Sequence, residues 1–295
     1  MFSTEKSSKL SYILAMAIFG TVGVFRKWID LPSTVVVFFR CVIGIAFLLL
    51  TLLLHRRSAE RSGGLRRNLP MLLLSGISLG MNWALLFEAY RLTSVATAIL
   101  CYYMGPVIVV LLSPLLFRER LTPQKLLFTS LALLGMVFVS GILRVGFAGL
   151  AELRGVLLAL GAALFYAGLI VTSKKITGVD ATEKTIFQLA IAALVVLPFI
   201  LLRGEFAYGR PDGRSLAMLL ILGVLHTGIA YLLYVGSMEK LKAQIVALFS
   251  YIDPIVAILS SALLLREKLG IWEILGSVLI LGASFLSDMT GKEKT

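Results

Sequence analysis

The chain repeats its own residue pattern at a constant offset of 148 residues, and this duplication constrains the fold more than any other feature. The register holds without a net gap from about residue 10 to the C-terminus. Matched positions are Gly80 with Gly228, Tyr103 with Tyr251, Pro106 with Pro254, and residues 118–121 with 266–269. Self-similarity over so long a period indicates two structural repeats, which we assign to residues 1–147 and 148–295.

The hydropathy of the chain predicts that each repeat is embedded in a membrane. Apolar residues are 59% of the 295 residues, charged residues only 15%, and the mean hydropathy is +0.96. One helical bilayer crossing needs about 20 mainly apolar residues. Ten such stretches are present, at 10–29, 33–54, 70–90, 94–117, 122–143, 152–175, 182–202, 215–237, 241–265 and 270–290. The predicted fold is therefore all-α, with ten transmembrane helices as two five-helix repeats. An odd number of crossings per repeat inverts one repeat relative to the other.

The basic residues indicate the orientation of the chain. The net charge of +12 comes from Lys and Arg in short connectors, so no nucleic-acid partner is predicted. With the N-terminus inside, the inner connectors and termini hold 17 of the 28 Lys and Arg residues, and the outer connectors hold 10. Cytoplasmic connectors typically carry such an excess. We predict a multi-pass protein of the cell (inner) membrane with both termini in the cytoplasm.

The chain lacks the patterns of catalytic and metal centres. Cys41 and Cys101 lie in apolar spans without metal-ligand spacing, which favours core packing. An intramembrane transferase would need clustered carboxylates or a nucleophile beside its base, and the sequence shows neither. A channel is disfavoured because no filter-like segment or ring of charges is visible. We therefore predict no enzyme, no catalytic residue, no metal and no cofactor.

One acidic residue lies near the middle of a span, where charge is costly and usually functional. Asp253 stands about twelve residues into the ninth span and directly precedes Pro254. Proline lacks an N–H and can free a backbone carbonyl one turn earlier. Asp253 is a candidate to hold a cation, an ammonium or a proton. The alternative is a buried structural acid, kept neutral or paired with Arg40.

Three further polar residues in spans are candidates for coupling or gating. Arg40 lies in the second span, and its repeat-matched residue is the uncharged Gln188. Glu88 lies near the outer end of the third span, where a water-exposed rim position is the alternative. His226 in the eighth span is a candidate proton relay, and bonding to a neighbouring carbonyl is the alternative.

Aromatic residues form a second candidate set, situated within spans and not at their ends. Its members are Trp83, which matches Tyr231, Tyr103, which matches Tyr251, and also Tyr102, Tyr166 and Tyr234. Aromatic faces suit a small amphipathic solute or a cation. The alternative is core packing with the hydroxyls bonded to carbonyls. We predict that the set, together with Asp253, lines a substrate cavity.

Helix-breaking residues are also duplicated. Pro106 in the fourth span matches Pro254 in the ninth, and paired interruptions of this kind indicate a central site. Each interrupted span ends in Arg-Glu-Arg/Lys-Leu. We interpret Glu119 and Glu267 as caps near the start of the next helix, with gating ion pairs as the alternative.

The chain resembles the drug/metabolite transporter superfamily, specifically its EamA-like members. The residues that carry the resemblance lie at 98–135 and again at 246–282, together with Phe39-Arg40 in the second span. The resemblance covers essentially the whole chain. It implies a ten-helix bundle, alternating access, and a central cavity lined by spans one, three, four, six, eight and nine, with span two at the periphery. Relatives of this kind mostly export amino acids or other small metabolites, often against protons, and some take up quaternary amines.

The function predicted from these features is secondary transport, with export of small amphipathic metabolites such as amino acids. The two repeats would rock around an aromatic-lined site at the midplane, in a lipid bilayer, with protons as a candidate coupling ion. Uptake of choline or another quaternary amine is the alternative. A monomer is expected because both repeats belong to one polypeptide.

Overall fold

The computed structural model describes residues 2–54, 64–105, 107–109, 123–139, 150–207, 211–238, 241, 249 and 252–290. These residues form helices and short connections, with no strand among them. The helices are α1 Phe2–Gly20, α2 Val22–Lys27, α3 Ser33–Leu54, α4 Gly64–Leu92, α5 Val95–Tyr102, α6 Pro123–Val139, α7 Leu150–Lys175, α8 Ala181–Leu202, α9 Gly213–Ile221, a π-helix Leu222–Ile229, α10 Ala230–Met238, α11 Ile252–Leu264 and α12 Ile271–Thr290. Pro106, Tyr251 and Glu119 lie outside the described residues.

Six segments are long and apolar enough to cross a membrane: Lys6–Lys27, Ser33–Leu54, Gly64–Leu92, Glu152–Ser173, Thr182–Leu202 and Gly213–Tyr234. They coincide with six of the ten predicted spans, and shorter apolar helices occupy the described parts of the other four. Leucines on these segments, such as Leu53 and Leu202, are exposed, as expected for side chains facing lipid. The all-helical membrane fold is confirmed. The count of ten and the inverted orientation of the halves stay predictions.

Small residues bring the helices close together. Gly76 and Gly80 of α4 face α8, where a Cβ added at Gly76 would lie 2.5 Å from the Cβ of Ile191. Ala159 and Ala163 of α7 are fully buried in the bundle. Membrane helices associate through such packing because lipid provides no hydrophobic driving force between them.

Polar contacts join the connectors at one end of the bundle, which we call the Lys27 end. It holds residues 28–32, 93–94, 203–207 and 265–270. The backbone N–H of Asp30 donates to the Ser215 hydroxyl at 3.0 Å, and Lys27 pairs with Glu267 at 3.2 Å. At the opposite end, the Asn68 amide donates to the carbonyl of Thr177 at 2.8 Å. Both repeats therefore contribute to each end.

Two helix irregularities meet inside the bundle. The first span is interrupted at Thr21, between α1 and α2, and the eighth span widens into the π-helix. Thr21 Oγ1 lies 2.9 Å from His226 Nε2 in that π-helix. Single turns of π-helix occur frequently at functional sites.

Candidate functional site

Asp253 occupies the second position of α11 and faces α5. The Tyr103 hydroxyl donates to Asp253 Oδ2 at 3.0 Å, and Asp253 as a whole residue is half-buried. Pro254 lies in the first turn of α11, where a missing N–H removes no helical hydrogen bond. Within the described residues no cation lies within ion-pair distance of Asp253. The structural pairing of Asp253 with Arg40 does not form.

Arg40 of α3 is 3% exposed and extends toward α4 and the π-helix. Its Nε donates to Thr227 Oγ1 at 2.6 Å, and its Cζ lies 3.9 Å from the centroid of the Trp83 ring. Phe87, one turn further along α4, has its ring centroid 5.4 Å from the same Cζ. A peripheral second span would keep Arg40 away from the interior, yet the guanidinium lies on the aromatic face that we predicted to line the cavity.

The π-helix sets the position of the partner of Arg40. Thr227 Oγ1 donates to the carbonyl of Leu222, five residues earlier, at 2.9 Å, which leaves its lone pairs free to accept from Arg40. The helix α3 comes close enough for this contact because Gly44 faces Thr227. A Cβ added at Gly44 would lie 2.5 Å from Thr227 Cγ2.

The predicted aromatic residues gather into two neighbouring groups. In one, Tyr102 stacks on Tyr166 with 4.8 Å between ring centroids. In the other, Tyr234 lies 6.5 Å from Tyr231 and 5.6 Å from Tyr12, measured between centroids. Phe19 packs edge-on to both Tyr231 and Tyr234, with 5.5 and 6.1 Å between ring centroids. The half-buried rings leave part of their surface accessible.

Tyr90 is a residue that the sequence interpretation missed. It is buried, and its ring centroid lies 6.2 Å from that of Phe87, which itself lies beside Arg40. Trp83, Phe87 and Tyr90 are spaced at i, i+4 and i+7, which places them on one face of α4. That spacing is the sequence pattern from which Tyr90 could have been assigned to the same face as Trp83. Thr227 and Tyr12 carried no comparable signal.

His226 is fully buried at the contact between the π-helix and the broken first span. Its Nδ1 lies 3.3 Å from the carbonyl of Ile221, and its ring packs edge-on to Phe25 with 5.0 Å between centroids. Thr21 Oγ1, which lies next to Nε2, donates to the carbonyl of Ile18 at 2.8 Å. The contact with a neighbouring carbonyl, the alternative to a proton relay, is present, and the contact with Thr21 adds a link between two spans.

Glu88 lies at the Lys27 end, away from Asp253. It accepts a 2.6 Å hydrogen bond from the Ser33 hydroxyl and pairs with Arg91 at 3.2 Å. Its side chain is partly exposed, which agrees with a rim position. The same Ser33 hydroxyl accepts from the buried Arg26, whose guanidinium also donates to the carbonyls of Ile29 and Leu31. Glu88 therefore belongs to a polar network at the rim.

Glu267 caps a helix, although not the one that we expected. Both of its carboxylate oxygens accept from the backbone N–H of Val95, at 3.1 and 3.0 Å, and Oε1 pairs with Lys27 at 3.2 Å. Arg266 has a φ of 56°, a left-handed conformation that reverses the chain just before Glu267. The cap thus stabilises α5 in the other half of the chain and not α12, which follows in sequence.

Together, the apolar spans and the charged, aromatic interior define a multi-pass α-helical membrane protein. Comparison with protein families identifies it further: the model of the EamA-like transporter family matches residues 7–141 and again 153–287. The chain belongs to the EamA-like transporter family, within the drug/metabolite transporter superfamily. It is a membrane transporter.

Curated relatives have names in agreement with this family. An uncharacterized transporter, YxxF of Bacillus subtilis, is 31% identical over 97% of this chain and 91% of its own length. The pseudopaline exporter CntI of Pseudomonas aeruginosa is 29% identical, covering 84% of each chain. The aromatic amino acid exporter YddG of Ancylobacter novellus is 29% identical over 59% of this chain and 60% of its own.

A solved structure supports the fold. One crystal structure superposes with a TM-score of 0.68 and 23% identity, covering 98% of this chain and 99% of the other. At that identity the likeness establishes the fold alone. Because the family and the named relatives are transporters, the transferase interpretation is excluded.

Proposed function

We propose that this protein exports small amphipathic metabolites such as amino acids by alternating access around an interior site. The observation that supports this function best is the pair of opposite charges inside the bundle, Arg40 and Asp253, which do not neutralise each other. An aromatic side chain contacts each charge, since the Tyr103 hydroxyl donates to Asp253 and the Trp83 ring centroid lies 3.9 Å from Arg40 Cζ. Such a site is typical of a solute carrier, since intramembrane charges usually face a partner or a cavity. The relatives named as exporters support the outward direction.

In this mechanism the substrate lies between the tyrosine groups, and Asp253 binds its ammonium group or a coupling proton. The Tyr103 hydroxyl orients one carboxylate oxygen and leaves the other available. The contact of Glu267 with Lys27 and Val95 closes the Lys27 end. Access to that end then requires the carboxylate to leave the start of α5, so closure and substrate release are coupled.

The test is transport by purified protein in proteoliposomes, with Asp253→Asn as the variant. Asparagine preserves the shape of the side chain and can still accept from Tyr103, but it carries no charge. We expect substrate flux to fall at least about tenfold or to lose its pH dependence, while the protein stays folded by thermal unfolding. The matched control is Asp180→Asn at an exposed helix start, because asparagine caps a helix as well as aspartate does. Wild-type flux with an unchanged pH profile in Asp253→Asn would refute the role of this carboxylate.

Uptake of choline or another quaternary amine is the second candidate. Its support is the grouping of tyrosine rings around a single acid, since ring faces and a carboxylate bind quaternary ammonium. Competition of proteoliposome flux by choline and by phenylalanine separates the candidates. Stronger competition by choline would favour uptake of a quaternary amine.

A further inference from the structure

Arg40 has the features of a binding site for an anionic group. Resting on the proposed transport function, we infer that Arg40 binds a carboxylate of the transported molecule, so that a carboxylate is the group every substrate must carry. The contact involves neither Asp253 nor an amine of the substrate. The substrate class is therefore amphipathic monocarboxylates, with or without an amine, and an amine that lacks a carboxylate does not belong to it.

The guanidinium of Arg40 has terminal nitrogens that no described protein group uses. Only Nε has a hydrogen-bond partner in the described part of the chain, the hydroxyl of Thr227 at 2.6 Å. Completely enclosed side-chain atoms without a partner do occur among the described residues, and they are Arg26 Nε, Asn82 Oδ1 and Thr93 Oγ1. The terminal nitrogens of Arg40 do not belong to this set, although Arg40 is only 3% exposed. They therefore border a small accessible space inside the bundle.

The protein holds the guanidinium in one orientation. Trp83 lies over one face, with its ring centroid 3.9 Å from Cζ, and the Phe87 centroid lies 5.4 Å from the same atom. A ring on the face of a guanidinium leaves the N–H groups in the plane free to donate. Thr227 is itself fixed, since its hydroxyl donates to the carbonyl of Leu222 at 2.9 Å. Held at Nε and stacked on one face, Arg40 presents its two terminal nitrogens as a preformed fork.

Arg26 shows how the same bundle satisfies a buried arginine with its own groups. One terminal nitrogen donates to the carbonyl of Ile29 at 2.9 Å, and the other donates to the carbonyl of Leu31 at 3.1 Å and to the hydroxyl of Ser33 at 2.8 Å. Both arginines are almost completely buried. Because a buried charge without partners is costly, the contrast indicates that the terminal nitrogens of Arg40 are available to a ligand.

The chemistry of the site favours a carboxylate over other anions. The two terminal nitrogens match the two oxygens of a carboxylate in a bidentate contact, which a spherical chloride cannot make. No second Lys or Arg among the described residues contacts Trp83 or Thr227, so the site offers one positive charge, which suits a monoanion better than a phosphate dianion. The rings of Trp83 and Phe87 provide apolar surface beside the fork, as a carboxylate on an apolar body requires.

Probes that differ only in the group at one end test this inference. The acid 3-phenylpropionate and the neutral 3-phenylpropionamide have nearly the same shape, and 3-phenylpropylamine carries the opposite charge. We measure the unfolding temperature of the purified protein against the concentration of each probe, since a ligand stabilises the folded state by mass action. For the native protein we expect 3-phenylpropionate to bind at least about tenfold more tightly than either of the other two. Acetate and acetamide repeat the comparison without the ring.

Variants assign the carboxylate to its residue. Arg40→Gln should abolish the preference for 3-phenylpropionate over 3-phenylpropionamide, and Arg40→Lys, which keeps the charge but loses the fork, should reduce it. Thr227→Val releases Nε and should weaken the binding of the acid while leaving that of the amide unchanged. The matched control is Arg26→Gln, which also removes a buried arginine. It should lower the unfolding temperature but keep the native preference, so a loss of stability alone cannot imitate the result.

The outcomes separate this inference from the proposed function. Equal binding, or no binding, of acid and amide by the native protein in both pairs would overturn the inference, and this comparison needs no variant to fold. A native preference that survives in Arg40→Gln would overturn it too. So would stabilisation by chloride or phosphate that Arg40→Gln abolishes, because the site would then hold an inorganic anion. Absence of flux for every solute in a broad metabolite panel would overturn the proposed function, whereas the binding comparison requires no flux.

Discussion

Removing the carboxylate of Glu267 should open the Lys27 end of the bundle. The pair with Lys27 is partly buried, with the two side chains 28% and 14% exposed, and such a pair contributes about 0.2–1 kcal/mol or somewhat more. A carboxylate at the start of a helix contributes a further ~0.3–2 kcal/mol. The sum of about 0.5–3 kcal/mol corresponds to roughly a 2- to 150-fold change in the ratio of closed to open conformers.

Cysteine accessibility measures this change. In a variant without the buried native residues Cys41 and Cys101, we introduce Ala96→Cys, one residue after Val95 and completely buried. We then follow its reaction with a membrane-impermeant maleimide. Glu267→Ala should raise the rate about twofold or more, since a closed–open equilibrium limits access.

Two further variants dissect the contact at Glu267. Lys27→Gln should raise the labelling rate less than Glu267→Ala does, because the cap on Val95 remains. Lys268→Gln, which changes an exposed charge one residue away, should have no effect. An unchanged labelling rate in Glu267→Ala would show that other contacts hold this end closed, and the gating role of Glu267 would be rejected.

Two stability predictions concern the π-helix. Thr21→Val removes the partner of His226 Nε2 and should lower the free energy of unfolding by about 1–3 kcal/mol, measured by thermal unfolding in detergent. No loss would mean that another group satisfies the imidazole. Gly228→Ala places a Cβ 2.3 Å from a ring carbon of Phe47 and should cost about 1–3 kcal/mol. Gly282→Ala, with no atom within 4 Å, is its control, and equal stability of the two variants would contradict the packing argument.

Features that depend on single segments could be predicted from the sequence. The helices followed from apolar stretches of sufficient length, because in lipid the backbone must satisfy its own hydrogen bonds. Arg40 and Asp253 were identifiable because a charge in an apolar span stands out against its neighbours. The close packing of α4 followed from Gly76 and Gly80 in one row.

Features that depend on contacts between distant segments could not be predicted. Glu267 and Val95 are 172 residues apart, and no local pattern relates the reversed backbone at Arg266 to the start of α5. The π-helix leaves no signature in residue types, and α3 approaches it through Gly44, which faces Thr227. Thr227 became a partner of Arg40 only through that approach.

The duplication explains why the site itself is unsymmetrical. Arg40 in one half corresponds to Gln188 in the other, whose amide nitrogen donates to Ser173 Oγ at 3.2 Å. Asp253 corresponds to Gly105, where a Cβ would lie 2.5 Å from the ring of Tyr166 and a carboxylate has no room. Each half thus supplies one charge, and the matched position in the other half is uncharged.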